Sequence, residues 1–151
     1  MTKYLSEIIK DGLNPKYYLF VYGTLKRGHH NHVLLKDSKY LGLAITKEPY
    51  LLFNYGVPIA IKSKNSNLEK LPILGELYLI NEITLSECDY LEGHPLVYCR
   101  QKADVINLKD SKEYKAYIYF YIRGKAKINS KYLARTIEID LKSQKVKCYV
   151  Y

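Results

Sequence analysis

What most constrains this chain is that its apolar runs are short. Residues 17–22, 40–46, 50–55, 58–61, 73–80, 98–106 and 114–122 are rich in tyrosine, isoleucine, leucine and valine, with turn residues between them. Aromatic and β-branched side chains suit a pleated, half-buried surface, so each run reads as a β-strand. The apolar stretch 116–122 is the longest and reads as a central strand. None approaches the roughly 18 apolar residues of a membrane-spanning helix. Many strands with few helices predict an α+β chain: a small β-rich barrel or curled sheet with helices packed outside. Closure of that kind removes exposed sheet edges, and the mouth of a barrel is a natural pocket.

Helical signals are fewer. Tyr4, Leu5, Ile8 and Ile9 fall at helical spacing before Asp11-Gly12 and Asn14-Pro15 end the pattern, so residues 1–16 form a short helical or irregular lead-in. Val33-Leu34-Leu35 can begin a short helix. Thr84-Leu85-Ser86-Glu87 has capping-box spacing and predicts a helix start, with Leu85, Cys88 and Leu91 as its apolar face. Gly93 then supplies a left-handed cap and Pro95 forbids continuation. A last short helix is expected around 132–134, followed by two weak strands at 136–141 and 146–151. No repeat or linker divides the 151 residues, so one domain is expected, with its motif-bearing part over about 17–122 and a tail from 123.

The formal net charge of +9 permits contact with nucleic acid, but the lysines are spread and no block of five like charges occurs. A diffuse positive surface is the expectation, and nucleic-acid binding is not. Most of the seventeen tyrosines lie in strand-like runs, where they serve as half-buried sheet residues. Cys88, Cys99 and Cys148 form no C-x-x-C pair, which fits free thiols in a reducing compartment. Residues 1–10 hold no signal-peptide core, so the expected location is cytoplasmic, away from any membrane. No feature of the pattern sets an oligomeric state.

Two stretches carry chemistry. Tyr22-Gly23-Thr24-Leu25-Lys26-Arg27-Gly28 begins where the first strand runs out. Its two glycines allow a loop that aims several N–H groups at one point, with Lys26 and Arg27 adding positive charge. That is an anion pocket on one reading and a β-turn with two solvated basic residues on the other. It closes neither as a P-loop nor as a dinucleotide G-x-G-x-x-G turn. His29, His30 and His32 follow without the i, i+4 spacing or the Cys or carboxylate partner of a zinc site, and read as solvated residues at the loop's mouth. Glu76 interrupts an apolar strand and lies on an exposed face or in a polar cavity. Glu92 falls in the last turn of the predicted helix, where the dipole disfavours a carboxylate. A functional group and an ordinary surface glutamate are both open there.

The first stretch resembles the Y-G-T/S-L-x-x-G loop of the γ-glutamylcyclotransferase-like (AIG2-like) proteins. Asp89, Leu91-Glu92-Gly93-His94-Pro95, Tyr98 and Arg100 resemble the D-x-x-E-G-x-P-x-x-Y-x-R segment of their γ-glutamylamine cyclotransferase branch, and Gly75-Glu76-Leu77-Tyr78 matches the G-x-(L/V)-Y strand between. The resemblance implies a mixed barrel of five or six strands, no cofactor, and a small γ-glutamyl substrate. The implied reaction is attack of the α-amine on the γ-carbonyl, releasing 5-oxoproline and an amine. It makes Glu92 the acid/base and sets Tyr22, Gly23, Thr24 and Leu25 around the glutamyl group. Tyr98 is expected to orient Glu92 or close the pocket, and Arg100 to pair with a carboxylate. A structural tyrosine and a strand-edge arginine are the alternatives, as is a non-catalytic small-molecule-binding protein on the same barrel.

Overall fold

A computed structural model describes residues 5–64, 66–123 and 129–151. In chain order the elements are α1 (Leu5–Gly12), β1 (Pro15–Val21), β2 (Lys39–Thr46), β3 (Leu51–Asn54), β4 (Pro58–Ile61) and β5 (Leu74–Asn81). There follow α2 (Glu82–Glu92), β6 (Tyr98–Asn107), β7 (Glu113–Tyr121), β8 (Arg135–Leu141) and β9 (Gln144–Val150). Short 3₁₀ turns occupy His32–Leu35 and Ser130–Tyr132. Tyr4 and the basic run 124–127 lie outside the described residues.

Five strands close into a barrel in the order β1-β5-β2-β6-β7. Four of the pairings are antiparallel, and the seam is a parallel contact of β1 with β7 through Leu19 and Tyr117. The expected mixed barrel is therefore the observed one, with five strands. The hairpins β3–β4 and β8–β9 stand outside the ring as separate two-stranded sheets. Alternation along β1 explains why its sequence is apolar throughout. Phe20 joins the core with Leu77, Val105, Ile118 and Phe120, while Leu19 and Val21 pack with Leu35, Leu85 and Cys88. Both faces of the strand are covered.

The helix α2 starts earlier than the capping-box spacing predicts. Asn81, the last residue of β5, takes an extended conformation, and its side chain accepts from the Thr84 amide at 2.7 Å. Strand and helix thus meet with no loop, and Asn81 rather than Thr84 is the N-cap. The other end agrees with expectation. Gly93 adopts φ 65°, its N–H bonds Asp89 and Tyr90 carbonyls, and Glu92 is the last helical residue. The tail is tied in: Cys148 and Val150 pack with Ile45 and Leu74, and Tyr149 bridges to Ile73.

Candidate active site

The register of the barrel sets the loop. Val21, the last residue of β1, lies opposite Glu76 of β5, and a Cβ on Gly75 would sit 2.4 Å from the Val21 carbonyl oxygen. Beyond it, Tyr22 donates to the Tyr119 carbonyl at 2.5 Å. Gly23 lies against Pro58 so closely that a Cβ would fall 2.1 Å from Pro58 Cγ. The chain then folds on itself. The Lys26 amide bonds the Gly23 carbonyl at 3.0 Å, the Asn31 amide bonds the Thr24 carbonyl at 3.0 Å, and Asn31 Nδ2 donates to Thr24 Oγ1 at 2.8 Å. His32 Nδ1 donates to the Leu25 carbonyl at 2.9 Å. These bonds use the loop's carbonyls. Among the described residues, the amides of Gly23, Thr24 and Leu25 have no acceptor.

Glu76 holds the loop from behind. Its carboxylate is 7% exposed and accepts from the Arg27 amide at 2.8 Å and from the Tyr78 hydroxyl at 3.1 Å, with Arg27 Nε 3.4 Å away. The loop's two cations do not supply positive charge to the cavity, as the sequence suggested they would. Lys26 Nζ donates to the Tyr151 carbonyl at 2.7 Å, and Arg27 lies over the Tyr40 ring, 3.9 Å from its centroid. Their backbone follows the turn, and their side chains leave on the side of β2 and β9.

A cavity of about 300 Å³ opens beside the loop. Tyr22, Gly23, Thr24 and Leu25 line it together with His30 and Asn31, and Leu91, Glu92 and Val97 line it from the end of α2. Pro58, Tyr98, Tyr119 and Tyr121 complete the wall. Glu92 is the only carboxyl among the described lining residues. No described group donates to it or pairs with it, and burial pushes its pKa up from 4.5 to about 7. Burial also raises the Tyr22 and Tyr98 hydroxyls, and the charge of Glu92 adds to both shifts, so these phenols stay protonated. Tyr98 donates to the Pro58 carbonyl at 2.7 Å, which braces the strand carrying that wall.

Six of the seven residues expected at the site, Tyr22, Gly23, Thr24, Leu25, Glu92 and Tyr98, therefore meet around one cavity. Arg100 does not line it. Its guanidinium bonds Asp89 twice, Nε to Oδ1 at 2.8 Å and Nη2 to Oδ2 at 3.0 Å, so the carboxylate it pairs with is the chain's own. The sequence reading missed Asn31, Pro58 and Tyr119.

The rim of the closed barrel thus brings a turn of amides with no described acceptor and a carboxyl with no described donor to one cavity. The chain belongs to the family described as "Gamma-glutamyl cyclotransferase, AIG2-like", whose model matches residues 19–135 and so runs past the expected limit near 122. It is 42% identical over 105 residues to a Methanocaldococcus jannaschii protein named "Putative gamma-glutamylcyclotransferase", covering 69% of this chain and 83% of that one. With human gamma-glutamylaminecyclotransferase the identity is 35% over 97 residues, covering 61% and 63%. The tilt towards the amine branch is thus weaker than the Glu92 segment alone suggested. Among solved structures, the mouse AIG2-like protein superposes with a TM-score of 0.62 at 25% identity, covering 79% of this chain and 83% of that one. No helix among the described residues is long and apolar enough to cross a membrane.

Proposed function

We propose that this chain converts a γ-glutamyl amine, or a related γ-glutamyl compound, into 5-oxoproline and a free amine. The substrate's α-ammonium becomes a nucleophile only after losing a proton, and Glu92 accepts it. The α-nitrogen then bonds to the γ-carbonyl carbon, and the carbonyl oxygen takes up negative charge. Collapse of that intermediate breaks the bond to the leaving nitrogen, which receives the proton from Glu92. The ring nitrogen gives up its second proton to the regenerated Glu92 carboxylate, which passes it on to the departing amine. Two protons leave the α-nitrogen, the amine departs as an ammonium, and atoms and charge balance without another reactant.

The amides of Gly23, Thr24 and Leu25 are suited to hold the substrate's α-carboxylate or the developing oxyanion, since they carry donors that no described acceptor uses. Folding a flexible γ-glutamyl chain against them favours ring closure, which is intramolecular. The observation that carries the reading is Glu92: a donor-free carboxyl in a desolvated cavity, with a pKa near 7 that matches a base and acid working at neutral pH.

The test is a panel of γ-glutamyl compounds (an ε-lysine amide, simple alkylamides, dipeptides and glutathione) assayed for 5-oxoproline and released amine. Equal molar release from at least one member is the expected result. Binding of an anionic metabolite with no turnover of any member would replace the enzyme by a binding protein on the same barrel.

A further inference from the structure

The end of α2 is fastened to the barrel by a group of residues that do not touch the loop amides. Asp89 lies one turn before Glu92, and its carboxylate accepts from Arg100 of β6 by two bonds and from the Tyr119 hydroxyl of β7 at 2.6 Å. Burial alone would raise this carboxyl, but the bonds from Arg100 and Tyr119 outweigh it and hold Asp89 below the usual carboxylate range. The Asp89 main-chain carbonyl takes the Gly93 amide and, at 2.9 Å, the His94 amide. The Arg100 amide donates to His94 Nδ1 at 2.9 Å, which draws the chain after the helix back onto β6. Tyr119 also receives the Tyr22 hydroxyl at its own carbonyl. One residue of β7 therefore joins the helix that carries the carboxyl to the loop that carries the amides.

We infer that Asp89 and Arg100, acting through Tyr119, are positioning residues that fix the Glu92 carboxyl relative to the loop and balance the charge beside it. The inference rests on the cyclotransferase reading for its kinetic consequences but not for its electrostatic ones. The titratable groups that line the cavity with Glu92 are Tyr22 and His30 from the loop, Tyr98 on β6, and Tyr119 and Tyr121 on β7. Cys88 and Asp89 on α2, His94 after it and Arg100, which bonds Asp89, stand behind them. Of the charges among them, only Asp89 and Arg100 form a matched pair, so removing one member leaves the other uncompensated.

The two removals have opposite signs. Arg100→Ala leaves the Asp89 carboxylate, three residues from Glu92, with only the Tyr119 hydroxyl as donor and no cation, and raises the Glu92 midpoint by about half a pH unit or more. Asp89→Asn leaves a bare guanidinium and lowers it by a similar amount. The double variant returns the midpoint close to its starting value. Carbon-detected NMR of the side-chain carboxyl reads these midpoints in the free protein, whether or not any substrate is turned over.

Kinetics give the second arm. Tyr119→Phe removes one oxygen from an otherwise buried ring, and kcat is expected to fall about tenfold or more with KM nearly unchanged, because the carboxyl loses its fixed distance. Arg100→Lys should recover part of what Arg100→Ala loses. Opposite midpoint shifts with a kcat loss support the inference. Unchanged midpoints, or shifts of one sign in both single variants, overturn it, as does a kcat that stays level once each variant's folded fraction is counted. Absence of turnover in the parent protein would defeat the cyclotransferase reading and leave the midpoint test standing.

Discussion

Glu76 and Glu92 are two buried or half-buried glutamates on either side of the same loop, and their surroundings differ in one respect. Glu76 is saturated: an amide, a hydroxyl and a guanidinium nitrogen converge on its oxygens. Glu92 is withdrawn from water with no described donor in return. A carboxylate ringed by donors serves as a fastening. One that has lost solvent without gaining partners clings to its proton, and its affinity lies close to neutrality. The first shapes the loop; the second is the one the proposed reaction uses.

Exchanging each glutamate for glutamine tests the contrast most strongly. Glu92→Gln should lower 5-oxoproline release by about 10²- to 10⁴-fold, the usual worth of a general acid/base, while leaving the circular dichroism spectrum intact. Its stability effect has an unusual sign. With a folded pKa of about 7 against an ordinary 4.5, the folded state holds a proton that the unfolded state has released across that window. The wild-type protein therefore loses stability as pH rises from about 4.5 to 7, by something on the order of 3 kcal/mol. Urea titrations should find Glu92→Gln more stable than wild type at pH 8 and equal to it at pH 4. Glu76→Gln should instead lose about 1–3 kcal/mol, as the Arg27 amide and the Tyr78 hydroxyl lose a carboxylate acceptor. Stability changes of one sign in both variants would break the comparison.

Smaller effects sharpen it. Over the same pH range kcat/KM of the wild type should fall about tenfold per unit below pH 7, because only ionised Glu92 can accept the proton. Gly23→Ala forces a methyl into Pro58 and should cost about 1–3 kcal/mol in urea titrations, with a raised KM as the loop shifts. Tyr98→Phe removes only the bond to the Pro58 carbonyl and should cost about 1 kcal/mol.

Much of this was legible before any coordinates. The number and shortness of the apolar runs predict a small barrel or curled sheet, and Gly93 with Pro95 ends α2 so that Glu92 falls at its tip. The glycines of the 22–28 turn allow a loop that aims its amides at one point, with a plain β-turn as the other reading. What could not be read is direction. Lys26 and Arg27 adjoin the amides in sequence yet leave the turn on another side, because neighbouring side chains along a turn need not share a face. Arg100 was expected to meet a carboxylate, and only the pairing of β6 with β7 beside α2 reveals that Asp89 supplies it. Tyr119 is one tyrosine in a run of aromatic residues, and nothing local distinguishes it from Tyr117 or Tyr121. The helix start was misplaced for a related reason: Asn81 is both the end of a strand and a cap, and a pattern that expects a loop between them passes over it.

The most direct test of the account is the titration midpoint of the Glu92 side-chain carboxyl in the free wild-type protein, followed by NMR from pH 4 to 9. A midpoint near 7, well above that of an ordinary glutamate, is the predicted result. A midpoint near 4.5 would mean that water or a donor already satisfies this carboxyl, and the contrast with Glu76 would be gone.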